Sequence, residues 1–281
     1  MRFIRLALVV LACAFCASKI AQADSSGLGV LILAPNGTPA WNKTVMKIID
    51  ESEIPYPTAA YFGMGNTREE AARLQRCVNQ LQGNGVRSII VIPLVVSPYS
   101  EIYRQWKFLL GAGFQPGYNE PLFPIKKTAE IQVSEPLNDD PIVGLILVDR
   151  VREISENPAQ ETVLLIAHGP NDNSDNMKWK FMLGRLSKVI QQRGHFKRVE
   201  AMTLRDDAPA DVRGAAIDAF RSRVEAINQE GDKVLVIPFL ITPGGIENKI
   251  GVILKGTEYS LNGKTLVPDH RISQWIRSKV P

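Results

Sequence analysis

Apolar residues fall along this chain in short unbroken runs separated by amphipathic stretches, and the order of runs and stretches repeats once. Leu28–Ala34 is the first run, followed by a Pro/Asn/Gly turn and a helix-like stretch to Asp50. Pro57–Phe62 reads as a second strand, and Thr67 caps a helix with Glu69 and Glu70 in its first turn. Ser88–Val96, dense in Ile and Val, has the composition of a strand covered on both faces. A helix follows from about Tyr99 to Leu110, then a Pro- and Gly-rich loop over Phe114–Lys127. Glu130–Glu135 is a weaker strand, and Pro141 opens a helix to about Ser155. The series then restarts, with strands at Thr162–Ala167, Arg198–Leu204 and Lys233–Ile241. Helices are expected at Asn176–Arg193 and after Ala208-Pro209, with a last strand near Lys264–Val267 and a last helix at Ile272–Lys279.

The repeat is local as well as periodic. Val30-Leu31-Ile32-Leu33-Ala34 answers Val163-Leu164-Leu165-Ile166-Ala167, and Val91-Ile92-Pro93-Leu94 answers Val236-Ile237-Pro238-Phe239. A βα series repeated once predicts an α/β fold of two similar domains, each a parallel sheet flanked by helices. The expected domains are residues 28–157 and 158–281, with one continuous sheet as the weaker alternative.

The first 23 residues change how the composition is read. Arg2 and Arg5, the apolar run Leu6–Ala17 and Ala21-Gln22-Ala23 have the order of a secretory signal peptide, so export to the periplasm or medium is expected. The run is short for a bilayer span, so no stable membrane insertion is expected after cleavage; Leu11 and Phe15 make Cys13 and Cys16 poor lipidation sites. Removing the segment lowers Lys+Arg from 33 to 30 against 29 Asp+Glu, so the formal charge falls from +4 to +1. The basicity leaves with the signal, and nothing argues for a nucleic-acid partner. Cys77 is then the one remaining cysteine, which excludes an intrachain disulfide and a thiolate metal cluster.

Candidate chemistry gathers where strands end, the edge at which open α/β sheets bind ligands. Val163–Ala167 delivers His168 to that edge, followed by Gly169-Pro170-Asn171-Asp172. Imidazole can be a metal ligand or a proton acceptor, or it can simply hydrogen-bond its neighbours. The turn after the third strand of the second half, Thr242–Glu247, lies close by; Gly244 and Gly245 would let a flat ligand approach the backbone. Glu247 opens the next helix, where a carboxylate suits the dipole whatever else it does. In the first half Pro35 stands at the position of His168, and Ser97-Pro98-Tyr99-Ser100-Glu101 is the matching turn. Asn171–Asn176 lacks the central Gly and closing Glu of a calcium loop and reads as an Asx-capped helix start. His195 and His270 read as exposed or structural. Trp41, Trp106, Trp179 and Phe239 could wall a ligand site, although core packing is the common fate of aromatics. Arg104, Arg205 and Lys249 could meet ligand carboxylates or form an ordinary solvated face.

Taken together, Ala34–Asn42, Pro93–Arg104, Ala167–Asn176, Thr203–Pro209 and Pro238–Ile250 resemble the class II chelatases, the sirohydrochlorin cobalt- or ferrochelatase family. The resemblance spans nearly the whole chain after residue 23. It implies two α/β lobes and ATP-independent insertion of a divalent metal, Co2+ or Fe2+ or Ni2+, into a tetrapyrrole, as in cobalamin biosynthesis, with no organic cofactor. It matches His168 to the family's metal histidine and makes Glu247 its expected catalytic partner, with Glu247 and Glu101 as the further metal-ligand candidates. Gly244, Gly245 and Arg205 become the expected tetrapyrrole contacts. The chain departs from the pattern at Pro35 and Tyr99, where the family has histidines. A non-catalytic protein that holds a metal or tetrapyrrole is therefore the alternative to an enzyme.

Overall fold

The computed structural model describes residues 18–19, 27–114, 121–243 and 245–281. The proposed signal segment lies outside the described residues apart from Ser18–Lys19 (β1), and Gly244 lies outside them too. The first lobe comprises β2 (Leu28–Ala34), α1 (Pro39–Glu51), β3 (Thr58–Phe62), α2 (Arg68–Gly83), β4 (Ser88–Pro93), α3 (Glu101–Leu109), β5 (Glu130–Val133) and α4 (Pro141–Arg152). A 3-10 turn at Pro158–Gln160 leads into β6 (Glu161–Ala167), α5 (Asn173–Gly194), β7 (Arg198–Thr203), α6 (Ala210–Gln229), β8 (Lys233–Phe239), α7 (Ile246–Ile253), β9 (Ser260–Leu261) and α8 (His270–Arg277).

The strands form two separate sheets, ordered β1-β3-β2-β4-β5 and β7-β6-β8-β9. Every pairing is parallel except β1 on β3, which is antiparallel. Alternate side chains of one strand enter different cores, the property that makes buried parallel strands apolar throughout. Val30, Ile32 and Ala34 of β2 face a central core, while Leu31 and Leu33 face α2 and α3. In β6, Val163, Leu165 and Ala167 join the same central core, and Leu164 and Ile166 face α6 and α7. The central layer is built from α1, α4, α5 and α8, sandwiched between the two sheets.

Within that layer the last helix of each series packs across the molecule. Helix α4 lies on α5 and β8, and α8 lies on α1 and α4. Gly144 of α4 permits close approach to α5, since a Cβ there would meet Val189 Cγ1 at 2.9 Å. Charges lock the crossing. Arg150 is buried and reaches Asp269 (3.5 Å), Glu153 (3.2 Å) and the Thr265 carbonyl (3.4 Å), and Arg271 bonds both Asp149 and Asp269. Burial alone would raise the Asp269 pKa; the hydrogen bonds from Arg271, with the charges of Arg271 and Arg150, outweigh it and hold the group below the usual carboxylate range.

Most expected elements form where the pattern places them, with ends shifted by a few residues. Thr67 does cap α2, its hydroxyl accepting from Glu70 N–H at 3.2 Å. The last strand is a correction. It is Ser260–Leu261, not Lys264–Val267. The later segment does run beside the chain after β8, through Leu266 N–H to Leu240 O (2.9 Å) and Val267 N–H to Ile241 O (3.3 Å). These contacts lie past the end of the β8 ladder, and Thr265 spends its hydroxyl on the Val267 carbonyl in a local turn. The four aromatics offered as ligand walls are core residues: Trp41, Trp106, Trp179 and Phe239 are all at least 96% buried. Among the described residues, no helix is long and apolar enough to cross a membrane.

Candidate metal centre

Strand register decides what His168 meets. β6 and β7 pair as far as Ala167 and Thr203, and two backbone bonds extend the ladder: Leu204 N–H to Ala167 O (2.9 Å) and Arg205 N–H to His168 O (2.6 Å). The residues immediately past β7 therefore lie beside His168. Gly169 then turns the chain at φ +76°, where a Cβ would sit 2.6 Å from Thr203 Cβ. Only glycine fits a position that is both left-handed and this close to its neighbour.

Arg205 fixes the turn from below. Its side chain is buried, and its guanidinium donates to Pro170 O (3.1 Å), Asn173 Oδ1 (2.7 Å) and Asn171 O. Three acceptors along one loop offset the left-handed backbone of Arg205 itself, at φ +52°. This side chain holds the His168 loop in place with three of its five N–H groups. Asp172 caps α5 by accepting from Asp175 N–H at 2.9 Å, so Asn171–Asn176 is the Asx-capped helix start its residue types suggest.

The result is a compact group of His168, Asp206 and Asp207, one candidate ligand atom from each lying within 4.8 Å of the others. His168 Nε2 is 3.4 Å from Asp207 Oδ2. On the other side of the ring, Nδ1 is 2.8 Å from the Gly169 carbonyl. A carbonyl oxygen can only accept, so Nδ1 carries a hydrogen, and Nε2 is the ring nitrogen that faces Asp207. An imidazole nitrogen and a carboxylate this close together can share a metal ion as ligands. A backbone carbonyl behind the far nitrogen is also how proteins commonly orient a ligating imidazole. Asp206 is mostly buried and is ion-paired with Lys249, and Asp207 is largely exposed.

The remaining candidates lie around this group and outside it. Glu101, in the first turn of α3, accepts from Asn171 Nδ2 at 3.3 Å and so touches the His168 loop from the opposite lobe. Arg104 bonds the buried Asp175 of α5, and Lys178 lies 5.3 Å from the centre of the Tyr99 ring. These contacts bring the carboxyl edges of the two sheets together. Burial tends to raise the Asp175 pKa, but Arg104 and Lys178 pull it below the usual range. Glu247 Oε2 accepts from Gly245 N–H at 3.1 Å, closing the start of α7; Gly245 itself sits at φ +118° with nothing within 4 Å of a built Cβ. Pro35 presents only its carbonyl, which Trp41 Nε1 occupies at 3.0 Å. His195 caps the end of α5, and His270 lies beside Asp269 at the start of α8.

Comparison with solved structures places the fold. SirB from Bacillus subtilis with Fe3+ matches with a TM-score of 0.61 at 16% identity, over 90% of this chain and 94% of that one. The fold is chelatase-like. DR2241 from Deinococcus radiodurans, described as a multi-domain protein with structural similarity to chelatases and two additional novel domains, matches at a TM-score of 0.51 and 14% identity. That match covers 89% of this chain and 54% of DR2241. No family model and no curated protein matches the sequence. In this chelatase-like frame the second lobe brings a histidine and two aspartates to its carboxyl edge, while the first brings Pro35, Tyr99 and Glu101.

Proposed function

We propose that the protein takes a divalent first-row metal ion at His168, Asp206 and Asp207 and inserts it into a tetrapyrrole. The observation that carries this reading is the orientation of His168, whose bond to Gly169 O turns Nε2 toward Asp207, with Asp206 in the same compact group. One imidazole and two carboxylates form a mixed N,O donor set suited to first-row divalent ions. Insertion exchanges the ion's water for ring nitrogens and removes two pyrrole N–H protons. His168, Asp206 and Asp207 would hold the ion, and the exposed Asp207 has the freedom to leave it and accept a pyrrole proton as the ring nitrogens take over. Glu101, at the apposed edge, is the carboxylate of the first lobe placed to take part; Glu247 would act by shaping the start of α7. The family resemblance supplies the reaction, and the SirB structure with Fe3+ supports metal handling on this fold.

A second reading has its own support. Pro35 and Tyr99 leave the first lobe without an imidazole at its edge, and one histidine suffices to hold a metal without turning over. On that reading the protein is a metal or tetrapyrrole carrier. Its place outside the cytoplasm, proposed from residues 1–23, would be supported by a mature chain beginning at Asp24 on N-terminal sequencing. An insertion assay separates the two. Purified protein with sirohydrochlorin and Co2+ is expected to accelerate the absorbance change of metallation, and His168→Ala to remove the acceleration. Co2+ binding without acceleration would favour the carrier; acceleration that survives His168→Ala would reject the site.

A further inference from the structure

We infer that Lys249 is an internal competitor for the metal, occupying one of its ligands until the ion arrives. The inference rests on the metal reading of His168, Asp206 and Asp207. Lys249 lies in the first turn of α7, and its Nζ is ion-paired with Asp206 Oδ2, an atom of the same carboxylate that completes the group. Asp206 is only 16% exposed at its side chain, so its charge needs a partner; Lys249 is 53% exposed, so its ammonium can move into water at little cost.

The charges fix the sense of the coupling. With a neutral imidazole, Asp206 and Asp207 bring two negative charges together, and Lys249 offsets one of them. A divalent ion among the same ligands would neutralise both carboxylates and then face the ammonium as a like charge at short range. Metal and ammonium are therefore alternative occupants of Asp206. Ile246 and Ile250 anchor α7 in the core of the second lobe, so displacement need move only the lysine side chain. The consequence for function is a site that binds its ion less tightly than its donors allow. That suits a protein that must pass the ion on.

Titration of the full chain with Co2+ by calorimetry at fixed ionic strength tests this. Lys249→Met keeps the length of the side chain and removes its charge, and is expected to lower the Co2+ Kd about tenfold. Lys249→Arg keeps the charge and is expected to stay within about threefold of the unsubstituted protein. An unchanged or weaker Kd in Lys249→Met would overturn the inference, because the lysine would then be holding Asp206 in place and not competing for it. A parallel His168→Ala titration keeps the two claims distinct. If Co2+ binding does not depend on His168, the metal reading fails; if it does and Lys249→Met binds no more tightly, only the competitor role fails.

Discussion

His168→Ala should weaken Co2+ binding by at least about 100-fold, the largest functional effect expected of any single substitution in this chain. Losing only the groups that orient a ligating histidine costs roughly 10- to 100-fold in metal affinity, and removing the ligand itself should cost more. The fold should tolerate the change, because the ring is 37% exposed and its contacts are with Gly169 O and Asp207. Calorimetry gives the loss of affinity, and an unchanged melting temperature shows that the loss is local. Binding within threefold of the unsubstituted protein would place the metal elsewhere.

The largest effect on stability is expected at Asp269, far from that edge. Asp269→Asn leaves the buried Arg150 and the partly buried Arg271 with a weaker partner where α4 and α8 cross. Breaking a buried ion pair from one side costs about 3 kcal/mol or more. In a protein of this size that corresponds to a fall in Tm of roughly 6–12 °C. The pH dependence has a definite sign. The folded pKa of Asp269 lies below its unfolded value of about 3.9. Its contribution is therefore complete above that value and is lost as the pH falls through the lower folded one. The Tm difference between the two proteins should be full at pH 7 and shrink below about pH 4. A difference that stayed constant into acid would assign the effect to packing and not to charge.

These two residues also mark how far the sequence could be read. Val163–Ala167 of strand β6 is apolar without interruption, which required burial on both faces, and it delivered His168 to the sheet edge in the position its pattern indicated. Asp206 and Asp207 were in view within Thr203–Pro209 but carried no signal of their own. They matter because β7 lies directly beside β6, and strand order is not written in hydrophobic periodicity. Acids three and four residues past the end of Arg198–Thr203 become candidates only once the neighbouring strand is known. Arg205 shows the opposite case. Its charge suggested a ligand contact, and nothing in the sequence signalled that the same side chain would also tie down the His168 loop.

The exchange of α4 and α8 was invisible for a related reason. Periodicity tells which face of a helix is apolar and not which sheet will cover it. Both helices are amphipathic or apolar enough to pack on either side, and the choice is made by long-range partners such as Arg150 with Asp269. Short segments were the other weakness. Lys264–Val267 is apolar enough for a strand, but Ser260–Leu261 is what pairs with β8.

Anomalous scattering from crystals of the full protein soaked in Co2+, recorded at the cobalt absorption edge, tests the central claim most directly. The account predicts a peak roughly 2.1 Å from His168 Nε2, with carboxylate oxygens of Asp206 and Asp207 at similar range and Lys249 swung away. A cobalt peak on other residues, with His168 still facing a metal-free Asp207, would contradict it.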